Sequence, residues 1–135
     1  MPVKEWDSSF SVSVQKFDDQ HMKIFELLNK LHEAMKAGAA TTVLNEILQS
    51  LLSYTETHFA EEESLMITNG YPAVDRQKAQ HKVLLGNVLE LQQRYQTGND
   101  LISVSMLKFL YDWLVNHIKV EDKLYGQFFN SKGIF

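Results

Sequence analysis

The sequence predicts an all-α protein, an antiparallel up-down four-helix bundle with an N-terminal arm, in which residues 1-135 form one domain. Two observations carry this expectation. Gly38, Gly70 and Gly98 each follow a long segment of helical hydrophobic period, at the place where a helix-ending glycine belongs, and Pro72 bars the second segment from continuing. Strand-like alternation is confined to FSVSV, residues 10-14. Three breaks make four helices, and loops of about 2 to 6 residues between them suit antiparallel neighbours.

The arm, residues 1-18, holds Trp6, Phe10 and the alternating segment, and is expected to pack across the bundle. The first helix, about 19-37, places His21, Ile24, Leu28, Leu31 and Met35 on one stripe. The second, about 42-67, aligns Leu44, Ile47, Leu48, Leu51, Thr55, His58, Glu62 and Leu65, with Thr41 or Thr42 as its cap. The third, about 73-96, carries Val74, Gln77, His81, Leu84, Leu85, Val88 and Tyr95 on or near one face. The fourth, about 101-129 with Asp100 as N-cap, runs through Met106, Leu110, Trp113, Leu114, His117 and Leu124.

Composition narrows the function. A chain that is 44% hydrophobic and 22% charged is an ordinary globular one, and a net charge of -4 speaks against nucleic-acid binding, which needs a basic face. Without cysteine there are neither disulfides nor thiolate metal sites, so any metal is held by nitrogen and oxygen. MLKFLYDWLV is broken by Lys108 and Asp112 and cannot span a membrane, and MPVKEWDSSF lacks the apolar core of a signal peptide. A cytoplasmic monomer with neither nucleic-acid nor membrane partners is the expectation.

The histidines are the unusual feature. One histidine on an apolar stripe reads first as a hydrogen-bonded core residue. Here His21, His58, His81 and His117 project from the apolar stripes of four different helices. Four buried imidazoles are costly as unpaired polar groups and natural as the walls of a metal site. Glu62 follows His58 by four residues, about 400° of rotation, and points inward with it, whereas Glu61 and Glu63 read as a solvated face. Asp122 follows His117 by five residues, which in a regular α-helix sets them about 140° apart, so a local wide turn of the π type is expected between them. His32 reads as structural or exposed.

FDDQH (17-21), HFAEEESLM (58-66), YP before a third histidine (71-81) and WLVNHIKVEDKLY (113-125) together resemble the hemerythrin family, in particular the single-domain bacterial hemerythrins. The resemblance covers nearly the whole chain. It implies reversible dioxygen binding, for transport, storage or scavenging, at two non-haem iron ions (Fe2+/Fe3+) joined by an oxo or hydroxo bridge. His21 and His58 would ligate the iron that takes dioxygen, His81 and His117 the other iron, and Glu62 and Asp122 would bridge the pair. Phe59, Trp113, Leu114 and Ile118 would shape the oxygen pocket. Tyr125, Gln20 and one of Asp18 or Asp19 would support the ligands.

Gln77 is the departure, since the family has a third histidine for the second iron at that position. Three roles compete for it: a weak amide-oxygen ligand, a residue that swings away and leaves water in its place, or a lesion that empties the second site. Enzymatic activity is not expected, because no histidine has a glutamate three residues before it, as the ferritin type of di-iron bundle requires. The alternatives are a di-iron oxidoreductase, a peroxide or nitric oxide handling protein, and an oxygen or redox sensor.

Overall fold

The computed structural model of the protein describes residues 6–96 and 104–135, and every regular element among them is helical. They are α1 (Gln15–Lys36), α2 (Thr41–Asn69), α3 (Val74–Gln96), α4 (Val104–His117) and α5 (Lys123–Ser131), with a 3-10 turn at Ser8–Phe10 and a π turn at Ile118–Asp122 that runs α4 into α5 as one rod. Consecutive helices pack side by side, and α1 also packs on α4, closing a four-rod ring. No helix among the described residues is long and apolar enough to cross a membrane.

The helix boundaries follow from local chemistry. α2 ends where Gly70 takes φ 71°, a left-handed conformation that a side chain resists, and Tyr71 N–H closes onto Met66 O. α2 also starts one residue earlier than expected, with Ala40 as N-cap and no side-chain cap hydrogen bond, so the threonine cap is absent. Gly98 and Asp100, expected to end the third helix and cap the fourth, lie outside the described residues, as does the side chain of Tyr95.

The arm is shorter than expected, because α1 begins at Gln15 and absorbs residues 15-18. Asp18, in its first turn, accepts from Val12 N–H at 2.8 Å and Ser11 Oγ at 2.6 Å, which ties the arm to the helix start. FSVSV is no strand but keeps its alternation: Phe10, Val12 and Val14 are buried, and Ser13 faces solvent. The arm then runs over α5 so closely that a Cβ at Gly126 would lie 1.9 Å from the Val12 carbonyl oxygen. Gly126→Ala is therefore expected to lift the arm and cost about 1–3 kcal/mol in denaturant unfolding. Gly86→Ala, in α3 with nothing within 4 Å, is expected to stabilise by about 0.5–1 kcal/mol.

The π turn redistributes the faces of the last rod. Leu124, placed on the apolar stripe by uniform helical spacing, is 51% exposed, while Tyr125 and Phe129 are fully buried. The extra residue in the wide turn rotates everything after it by one position, a shift that a constant period does not contain.

Candidate metal centre

His21 on α1, His58 and Glu62 on α2, Gln77 and His81 on α3, His117 on α4 and Asp122 in the π turn meet at one level of the bundle, none more than 2% exposed. Their donor atoms fall into two groups, His21 with His58 and Glu62, and His81 with His117 and Asp122, each within 4.8 Å internally. The two carboxylates reach both groups. Asp122 sets Oδ2 3.2 Å from His21 Nε2 and Oδ1 3.1 Å from His117 Nε2. Glu62 sets Oε1 3.1 Å from His58 Nε2 and 3.4 Å from His81 Nε2.

The wide turn expected between His117 and Asp122 is present, and it is what aims both side chains inward from positions five apart. Around the outside, three imidazoles are held by their Nδ1. His58 Nδ1 meets Gln20 Oε1 at 2.5 Å, His81 Nδ1 meets Glu63 Oε2 at 2.8 Å, and His117 Nδ1 meets Gln80 Oε1 at 2.6 Å. Because each partner atom is an acceptor, each Nδ1 carries the proton, and Nε2 presents its lone pair inward.

That arrangement fits a cation. The inward Nε2 atoms of all four histidines, Glu62 Oε1 and Asp122 Oδ2 are buried without a hydrogen-bond partner. Lone pairs of nitrogen and carboxylate oxygen facing each other at 3.1–3.4 Å repel, and a positive ion between them removes both the repulsion and the unsatisfied burial. The donors are imidazole and carboxylate, the set that suits iron and other first-row divalent ions.

Without an ion, protons do part of this work. Burial disfavours a charged His21, but the carboxylates of Asp122 at 3.2 Å and Glu62 at 3.5 Å, with their negative charge, prevail and raise its pKa from 6.5 to about 9. His117 is raised in the same way, against burial, by Asp122, whereas burial lowers His81. Glu62 is burdened by burial yet held well below the usual carboxylate range by His58 and His21. Protonated His21 is thus favoured by folding, so the metal-free protein keeps that contribution in full below pH 6.5 and loses it as pH rises through about 9. Denaturant unfolding of the metal-free protein is expected to weaken by roughly 3 kcal/mol across that window. A flat profile would remove His21 as the proton holder.

The supporting residues divide as follows. Tyr125 hydroxyl donates to Glu62 Oε2, and burial with the Glu62 charge raises its pKa well above 10, which keeps the proton on the donor. Gln20 holds His58 and donates to Glu61. Asp18 serves the arm, and Asp19 accepts from Gln15 at the surface. Glu61 and Glu63 are half-buried, not a solvated face: Glu61 pairs with Lys16 at 3.3 Å and Glu63 orients His81. Gln80 and Glu63 escaped the sequence because each serves a histidine on another helix, and single-helix periodicity carries no such signal. Glu121, which Arg76 grips with two hydrogen bonds at 2.7 and 2.9 Å, pins the π turn to α3.

The expected oxygen-pocket residues separate. Trp113 stacks on His117, centroids 4.8 Å apart, while Phe59 stacks flat on His81 at 3.7 Å and also touches His58 at 5.6 Å, so Trp113 lies against the second group and Phe59 between the two. Ile118 is fully buried. Leu114 lines a cavity of about 20 Å³ with Ile24, Leu28, Leu51, Thr55, Leu84, Val88 and Leu110. Ile24, Thr55, Leu84 and Leu114 each lie three residues from the inward histidine of their own helix, so the cavity adjoins the histidine layer. His32 is half-buried and belongs to neither group.

The chain is similar to known proteins over most of its length. The family described as the hemerythrin HHE cation binding domain matches residues 12–129. The bacteriohemerythrin of Methylococcus capsulatus is 36% identical over 127 residues, covering 93% of this chain and 96% of its own. A hemerythrin of Sipunculus nudus is 34% identical over 123 residues, 90% of each chain. A crystal structure of wild-type hemerythrin superposes with a TM-score of 0.87 at 36% identity, covering 93% of this chain and 96% of that one. A matched domain spanning residues 12–129, relatives above 30% identity and two buried imidazole-carboxylate groups agree: this chain belongs to the hemerythrin family.

Proposed function

We propose that the protein binds dioxygen reversibly at a pair of non-haem irons, with His21 and His58 on one, His81 and His117 on the other, and Glu62 and Asp122 shared. The observation that carries this reading is that each carboxylate addresses both histidine groups, as a bridge between two ions requires. Two irons held there would supply the two electrons that reversible dioxygen binding requires.

The residues favour binding over turnover. Reduction of dioxygen to water needs protons, and the cavity beside the histidines is lined by seven aliphatic side chains and one threonine. At about 20 Å³ it is just above the size of one water-sized guest, and its apolar walls favour dioxygen over water. Gln20, Glu63 and Gln80 occupy the outer nitrogens of three ligands, so those imidazoles are fixed in place and are not free to shuttle protons. Tyr125 keeps its proton on the hydrogen bond to Glu62.

Metal analysis with optical spectra of the ferrous protein, with and without dioxygen, tests the reading. Two irons per chain and a charge-transfer band that appears with dioxygen and vanishes on its removal are expected. One iron per chain, or irreversible oxidation with steady consumption of dioxygen, would overturn it.

A further inference from the structure

Gln77 is 1% exposed, one turn before His81, and the two ends of its amide are engaged differently. Nε2 donates to Asp122 Oδ1 at 3.0 Å, while Oε1 is buried without a partner. Asp122 Oδ1 is also the oxygen 3.1 Å from His117 Nε2, so the Gln77 atom that enters the second group is its nitrogen. The assignment rests on chemistry. A carboxylate oxygen only accepts, and turning the amide over would set two acceptors against each other. An amide nitrogen, its lone pair delocalised into the carbonyl, has nothing to offer a metal.

The opposite side of the centre provides the parallel. Glu62 receives one hydrogen bond from the neutral Tyr125 hydroxyl, and Asp122 receives one from the neutral Gln77 amide. The donor groups are alike as well, two imidazoles and a carboxylate on each side.

We infer that Gln77, buried against Asp122 and one turn before His81, is a hydrogen-bond donor to the shared carboxylate and not a metal ligand. A metal held by His81, His117 and Asp122 would thereby keep a position open for a small anion, as would one held by the equally small donor group His21, His58 and Glu62. The inference rests on the two-iron reading. It assigns Gln77 a positioning role toward Asp122, and its second amide hydrogen is left to hold the incoming anion.

Reloading the metal-free protein with cobalt(II) tests this without any dioxygen chemistry, with metal analysis, visible absorption and azide titration as readouts. The unaltered chain is expected to hold two cobalt ions and to take azide at both. Gln77→His should keep both ions, weaken the visible band as one cobalt gains a sixth ligand, and take azide at one only. Gln77→Leu should keep both ions with the parent band intensity and bind the second azide about 3- to 10-fold more weakly, the loss of one hydrogen bond. Loss of one cobalt or a changed band in Gln77→Leu would mean that the amide had been a ligand and overturns the inference. Two cobalt ions with a single azide overturn it too and leave the two-iron reading standing; a single cobalt overturns both.

Discussion

Replacing Glu62 is expected to destroy metal binding more completely than any other single change. Glu62 is fully buried, lies within 3.1–3.5 Å of three imidazole nitrogens on three helices, and accepts from Tyr125. Loss of a residue that only supports a metal ligand costs about 10–100-fold in affinity, so loss of a carboxylate shared by both ions should cost more than about 100-fold at each. Two variants separate ligation from packing. Glu62→Gln keeps the shape and an oxygen for Tyr125 but loses the charge, so iron content should collapse while the metal-free fold loses only the Glu62 share of the charge that stabilises protonated His21. Glu62→Ala also leaves the Tyr125 hydroxyl buried and unpaired, which adds about 1–3 kcal/mol of destabilisation. Iron retained at two per chain in Glu62→Gln would show that Asp122 alone holds the pair together.

The glutamate also explains why so much of the centre was legible in the sequence. His58 and Glu62 share one helix at a spacing of four, and the same period that defines the apolar stripe carries both inward. Four histidines on four stripes converge because the bundle makes all four stripes face one axis. What period does not contain is the pairing between helices. Glu63 looks outward by rotation, yet it meets His81 because α3 packs along that flank of α2. Gln80 and Arg76 form a surface turn on α3 until the π turn arrives beside them with His117 and Glu121. Which imidazole each aromatic ring covers is hidden for a related reason: Phe59 and Trp113 are inward-facing on their own helices, but the imidazoles they meet depend on how neighbouring helices are set against one another.

The π turn is where local rule and site geometry conflict, and it makes the second large prediction. Four residues of α-helix turn through about 400°, so a ligand pair at a spacing of four needs no special backbone. His117 and Asp122 have one residue more, and the turn Ile118–Asp122 absorbs it. Deleting Val120, which is 50% exposed, should therefore be tolerated. His117 and Ile118 keep their register with α4, Glu121 and Asp122 keep theirs with α5, and the rod becomes a continuous α-helix. The deletion variant should bind two irons and unfold at the same denaturant concentration or higher. Inserting an alanine after Val120 does the reverse. A wide turn accommodates one extra residue, so the second rotates Asp122, Tyr125 and Phe129 by about 100° away from the core. Asp122 then leaves His21, His117 and Gln77, while Tyr125 and Phe129, both fully buried, lose their packing. Truncating one large core side chain costs about 3–5 kcal/mol, so displacing two aromatic rings together should leave the chain largely unfolded without metal and unable to retain iron. Metal analysis and circular dichroism of the two variants side by side would decide it. If the deletion loses iron as completely as the insertion, the wide turn shapes the centre in a way that a regular helix cannot replace.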